Sequence, residues 1–294
     1  PHLVNHTENI PMRKHLTLSL FCALLSAASA AQASSWFRSA DRADDLDVVA
    51  LTRDGRLVDF HLKRPGKVRV LATVSGLQGD VRLVGIDYRV QDGRLYGVGD
   101  AGGVYTLDTR TGAATLVNRL SVTLSGTVFG VDFNPAADRL RIISNEGQNL
   151  RHNVNAGGVT VSDGALNYTA GAVATGVAAA AYTNNDLSAT TTATTLFVLD
   201  AALDQVALQS PPNAGVLVGT GKLGVDAGAD VGFDIYSEVR EGVTVSNRGV
   251  AVITAANGVI GLYDVDLLTG RATLRGPLSG DVPIIDMAIP VHQN

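Results

Sequence analysis

The sequence predicts an all-β fold, a five-bladed β-propeller of four-stranded blades, and three observations predict it. A short apolar strand recurs at near-constant spacing. Further strand-length runs separated by turn residues follow most copies. The two ends of the chain carry complementary parts of one blade. The recurring strands are "LVGIDY" (83–88), "VFGVDF" (128–133), "GVAAAAY" (176–182), "VGFDIY" (231–236) and "PIIDMA" (283–288). Asp87, Asp132, Ala181, Asp234 and Asp286 hold equivalent places, at intervals of 45, 49, 53 and 52 residues, which suits one blade per repeat.

Each element follows from its residues. Residues 1–11 precede Met12 and read as an upstream extension. Residues 12–33 carry Arg13-Lys14, the apolar run "LTLSLFCALLSAASA" and small-residue exits at Ala30 and Ala33, the pattern of a cleaved secretory signal. That run is shorter than the roughly 20 apolar residues of a membrane span. Residues 34–44 read as a linker and 45–294 as a single propeller domain. "DVVALT", "RLVDFHL" and "VRVLATV" supply three strands without an inner one; "PIIDMA" supplies an inner strand without followers. Joined, they complete blade one and close the ring, pairing strands that would otherwise be open edges. Blade two continues with "RLYGVGD", "GVYTLDTRTG" and "AATLVNR", blade four with "TLFVLD", "QVALQS" and "VLVGTG", blade five with "GVAVITA", "IGLYDVDLLTG" and "RATLRG". Asp108 with Thr111-Gly112 and Asp266 with Thr269-Gly270 mark the same turn, the aspartate bonding locally and the glycine accepting positive φ. A six-bladed ring or a β-sandwich is the alternative.

Composition narrows the function classes. Net charge is −5 without basic runs, so nucleic acid is not an expected partner. Cys22, the sole cysteine, lies in the signal, which leaves no disulfide and no cysteine metal site. The histidines after the signal (His61, His152 and His292) show no ligand spacing, and no G-x-S-x-G nucleophile elbow occurs. Aromatic residues are only 5% of the chain, and the single tryptophan, Trp36, adjoins the signal, which argues against stacking platforms for sugars. A secreted or periplasmic, monomeric, non-enzymatic binding or scaffolding module is expected, with no cofactor. The alternatives are a glycoside-hydrolase-like enzyme using channel aspartates and a purely structural envelope protein.

Asp87, Asp132, Asp234 and Asp286 share one repeat position. Four ionised carboxylates converging at about 7 Å would repel by roughly 2 kcal/mol per pair at an effective dielectric near 20. They therefore predict hydrogen-bonded ties, a divalent cation, or a catalytic pair. The alternation favours ties: Gly85/Asp87, Gly130/Asp132 and Gly232/Asp234 put a small residue and a carboxylate on one side, where a neighbouring blade can offer backbone N–H groups.

The third repeat, "GVDFNPAADRLRIISNEGQNLR" (130–151), is unusually polar. Arg141 falls where blades two and four have Tyr96 and Phe197, and Asn149 where blades two and five have Val104 and Leu262. His152 falls where Leu107 and Val265 stand. Buried without partners, such groups cost about 1–3 kcal/mol each, more if charged. They predict either an inter-blade network locking blade three to blade four, or a site for a small polar or anionic ligand or a protein. Candidate binding residues are Arg139, Arg141, Asn149, Arg151, Tyr182, Asn184, Asn185 and Asn213. Propeller connectivity would send "NPAAD", "TNND" and "SPPN" to one face and "NEGQN" to the other.

The runs "VGIDYR", "GVDFNPAADRLRIISNEGQNLR", "AYTNN", "QSPPNAG" and "GFDI" resemble the bacterial secreted domain-of-unknown-function family 4394 over residues 45–290. The resemblance implies an extracytoplasmic propeller-like domain and hands over no catalytic residues.

Overall fold

The structure is a computed structural model that describes residues 45–188, 193–280 and 283–291, together with His2. The expected signal peptide and linker, with Cys22 and Trp36, lie outside the described residues, as does all of the upstream extension but His2. The chain forms five four-stranded antiparallel sheets. Blade one comprises β20 (Ile284–Ala288), β1 (Asp47–Thr52), β2 (Arg56–His61) and β3 (Arg64–Thr73). Blade two holds β4 (Leu83–Tyr88), β5 (Leu95–Gly99), β6 (Gly103–Leu107) and β7 (Ala114–Arg119). Blade three holds β8 (Phe129–Asn134), β9 (Arg139–Ser144), β10 (Asn149–His152) and β11 (Thr160–Ser162). Blade four holds β12 (Val177–Tyr182), β13 (Leu196–Asp200), β14 (Gln205–Gln209) and β15 (Leu217–Lys222). Blade five holds β16 (Ala227–Arg240), β17 (Val243–Ala255), β18 (Ile260–Val265) and β19 (Ala272–Pro277).

This is the five-bladed ring the repeat predicts. The inner strands β20, β4, β8, β12 and β16 follow one another around the axis, each against the next. The ring closes where β20 pairs with β1, Val49 opposite Ala288 and Leu51 opposite Asp286. The turn predicted in blades two and five forms as expected. Asp108 accepts from the Arg110 and Thr111 N–H groups, and Gly112 ends the turn at φ 75°. Asp266 and Gly270 repeat this at φ 72°.

The core lies in the seams. Five apolar clusters correspond to the five junctions between neighbouring blades. Alternation explains this: the residue opposite the repeat-position aspartate faces the following seam, and the residue before it faces the preceding one. At the seam of blades two and three, for example, Tyr96 meets Phe133 edge-on, ring centroids 5.1 Å apart, beside Leu140. Stability therefore rests on how well each seam is filled, and most of the candidate residues sit at seams.

Candidate functional site

The four aspartates converge on the ring axis, 2–6% exposed. Each reaches the inner strand of the next blade. Asp87 accepts from the Phe133 N–H at 2.7 Å and Asp132 from the Tyr182 N–H at 3.1 Å. Asp234 accepts from the Ile289 N–H at 2.6 Å and Asp286 from the Ile86 N–H at 2.8 Å. Four of the five seams are thus bridged by a carboxylate. The strands approach closely enough that a Cβ on Gly130 would lie 2.6 Å from the Ala180 nitrogen, and one on Gly85 2.8 Å from Asp286 Oδ2. This is the physical reason for the glycine two residues before the aspartate.

Oxygens of Asp87, Asp132 and Asp234 lie within 4.8 Å of one another. Burial, then mutual repulsion, holds Asp87 and Asp132 well above the usual carboxylate range. Burial does the same to Asp286, and raises Asp234 to about 6 against the N–H groups of Ile289 and Ile235. In a metal-free ring these shifts favour the protonated forms, which relieves the repulsion. No sugar ring reaches carboxylates this buried, so the hydrolytic reading finds no support in the geometry.

Around the third seam, between blades three and four, the structure gathers Arg141, Asn149, Arg151, Tyr182 and Asn213. Arg141 is 2% exposed, and each of its three guanidinium nitrogens is hydrogen-bonded. Its Nε donates to Tyr182 Oη at 3.1 Å, Nη1 to Asn149 Oδ1 at 2.8 Å and Asp163 Oδ2 at 2.6 Å, and Nη2 to Asn213 Oδ1 at 2.9 Å. Arg151 grips the same Asp163 through Nε at 2.6 Å and Nη2 at 2.8 Å. Asn149 donates to Gly164 and Pro212 carbonyls, and Gln209 to Pro212. A guanidinium on Tyr182 thus stands where the preceding seam has Tyr96 on Phe133. His152 is a comparable tie on the other side of blade three. Its Nδ1 accepts from the Thr160 hydroxyl at 3.0 Å, and its Nε2–H donates to Asn118 Oδ1 at 2.9 Å. Burial lowers its pKa to about 4, so it is neutral.

The other candidates lie elsewhere. Arg139 stays outside this network, its Nη1 donating to the carbonyls of Ala137 and Asp138 in its own turn. Asn184 and Asn185 belong to the fourth seam. The three turns expected together bind three different neighbours: "NPAAD" holds blade two through Arg89–Asp138, "TNND" holds blade five, and "SPPN" holds the segment after β11, the Asn213 carbonyl accepting from the Gly164 N–H.

The fourth seam, between blades four and five, departs from the pattern. Ala181 stands where the aspartate would be, so no carboxylate crosses there. Blades two, three and four turn Leu95, Leu140 and Leu196 toward the preceding seam, and blade one Ala50; blade five has Gly249 at this position. The rim is fastened instead. Asn185 binds Ser237 Oγ and the Ile235 carbonyl, both at 2.9 Å. Asp186 accepts from the Thr244 N–H at 2.8 Å and from its hydroxyl at 2.5 Å. These contacts hold the β16–β17 hairpin, whose strands of 14 and 13 residues are the longest of the ring. Below the fastening a cleft of about 940 Å³ opens, lined by Phe197, Leu208, Asn247, Arg248, Leu268 and Arg271 among others.

Sequence reasoning missed Asp163, Gln209, Asp186 and the cleft residues Arg248, Leu268 and Arg271. The first two serve partners far along the chain. The cleft had a legible signal, discussed below.

Fold and site define a five-bladed propeller closed by carboxylate ties at four of its five seams. The chain belongs to the family described as a domain of unknown function (DUF4394), whose model matches residues 56–288. No curated protein matches. Among solved structures, the chain is similar to an auxiliary nutrient binding protein from Bacteroides ovatus at 14% identity, with 71% of this chain and 56% of that one covered and a TM-score of 0.43. It is also similar to a protein of unknown function from Bacteroides thetaiotaomicron at 16% identity, covering 78% and 55%, TM-score 0.43. BamB from Moraxella catarrhalis aligns at 15% identity over 76% and 68%, TM-score 0.32. The chain spans little more than half the length of the first two. Among the described residues, no helix is long and apolar enough to cross a membrane.

Proposed function

We propose that this protein is a secreted or periplasmic, non-enzymatic binding module whose ligand enters the cleft between blades four and five. One observation carries the reading: among the described residues, the seam between blades four and five is the one without an axial carboxylate, and a cleft of about 940 Å³ lies along it. Its volume falls in the range of small-molecule sites, and its lining mixes apolar floor with a few polar groups. The Arg141 network and the axial carboxylates are ties in this reading. Thermal shift against a panel of sugars, amino acids and organic acids tests it. A ligand that stabilises the wild type, but not Thr273→Trp at the cleft wall, is the expected result. A panel without any shift, or shifts identical in Thr273→Trp, would overturn it.

A second reading concerns the axis. Carboxylate oxygens within 4.8 Å of one another fit a hard cation, because two oxygens each about 2.4 Å from a calcium ion lie at most about 4.8 Å apart. Asp87, Asp132 and Asp234 would hold such an ion in place of the shared protons. Calcium should then raise the melting temperature at pH 7 and have no effect near pH 4; a protein insensitive to chelator and calcium would remove this reading.

A further inference from the structure

The turn from β18 to β19 has the same backbone as the turn from β6 to β7. An aspartate caps each, and a glycine in the left-handed region ends each, at φ 75° and 72°. Their side chains differ. Blade two fills the turn with Thr109, Arg110 and Ala113; blade five puts Leu267, Leu268 and Arg271 at the same places. Turn formation does not require the change.

Leu268 is 81% exposed, an apolar side chain held out in water. It lines the cleft with Phe197 and Leu208, which also pack on the core of this seam. Arg271 lines the same cleft and, among the described residues, has no ion-pair partner. The neighbouring arginines differ: Arg248 and Arg275 share Asp264, at 2.8 and 2.7 Å. Asp266 is engaged with the N–H groups of Leu268 and Thr269, both at 3.0 Å. The amides are engaged as well, since Asn247 Nδ2 donates to Asn184 Oδ1 at 2.7 Å and Asn247 Oδ1 accepts from the Asn184 N–H at 2.9 Å. The cleft thus offers apolar surface and one unpaired guanidinium, and few free amide groups for the hydroxyls of a sugar.

We propose that the ligand of this cleft is an apolar organic anion, a single carboxylate on a hydrocarbon body. This rests on the cleft being the binding site. The carboxylate meets the planar fork of Arg271, whose geometry suits two parallel hydrogen bonds. The hydrocarbon covers Leu268, Phe197 and Leu208.

Calorimetric titration with octanoate and its neutral counterpart octanamide tests the assignment. Octanoate should bind more tightly to the wild type. Arg271→Ala, which installs the residue blade two already has as Ala113, should lose roughly 10- to 100-fold in octanoate affinity and fall to the octanamide level. Leu268→Ser should weaken both probes alike. Equal affinities for the two probes, undetectable octanoate binding, or an Arg271→Ala protein that binds octanoate like the wild type would each overturn the proposal. A neutral ligand whose stabilisation disappears in Thr273→Trp would overturn the anion while leaving the cleft as the site. Octanoate binding unchanged in Thr273→Trp would overturn the cleft itself.

Discussion

At the seam between blades three and four, Arg141 meets Tyr182; one seam further round, the same register positions hold Phe197 and Ile235. The apolar pair is buried by packing alone, whereas the polar pair needs hydrogen-bond partners to be buried. Arg141 brings acceptors for its guanidinium from blade three, from blade four and from the segment after β11. The apolar seam lacks its carboxylate, packs Phe197 and Ile235 into its core and carries the cleft beside them. Polarity in a core position therefore does not mark the binding site here. A polar side chain whose nitrogens are all hydrogen-bonded is a tie.

The axial carboxylates sharpen this contrast through pH. Asp234 has a folded pKa of about 6, above its ordinary 3.8. Its contribution to stability is therefore full below about pH 4 and is lost as pH rises through 6. His152 runs the other way: with a folded pKa of about 4 against an ordinary 6.5, its contribution is full above about pH 6.5 and is lost as pH falls toward 4. Asp234→Asn keeps an acceptor for the Ile289 N–H and removes the charge. Its stability relative to the wild type, from urea denaturation, should rise by about 3 kcal/mol between pH 4 and pH 7. A pH-independent difference would show that Asp234 is ionised throughout, as a bound cation would make it.

Asp132 offers a smaller effect at the seam between blades three and four. Asp132→Ala removes the acceptor for the Tyr182 N–H and should cost roughly 1–3 kcal/mol. Asp132→Asn keeps an acceptor and should change stability by less than about 1 kcal/mol. Equal losses in the two variants would mean that charge, rather than the hydrogen bond, closes this seam. The seam between blades four and five has no counterpart to this experiment, because Ala181 already stands in the aspartate's place.

Much of this architecture is legible in the sequence because a repeat compares the chain with itself. The spacing of Asp87, Asp132, Ala181, Asp234 and Asp286 gives the number of blades, and the incomplete first and last repeats give the closure of β20 on β1. The oddity of Arg141 shows in the same register. Its partners do not, since Asp163 follows a three-residue outer strand and Asn213 lies 72 residues away in a turn. Nothing local in either stretch encodes the meeting. The cleft's seam is marked in the sequence by Ala181 in place of the aspartate and by the turn residues Leu268 and Arg271. Aligning "DLLTG" with "DTRTG" reveals a shared turn, and the shared backbone hides the difference in what the turn displays.

Two arginines, one at each seam, test the contrast most directly. Chemical denaturation of Arg141→Met and Arg271→Ala, side by side with the wild type, measures both. Removing Arg141 leaves Asp163 buried without its inner partner, and should cost about 3–5 kcal/mol. Removing Arg271, exposed and without an ion-pair partner among the described residues, should change stability by no more than about 0.5 kcal/mol. A loss below about 1 kcal/mol for Arg141→Met, or a loss for Arg271→Ala as large as that for Arg141→Met, would contradict the assignment of one seam to structure and the other to binding.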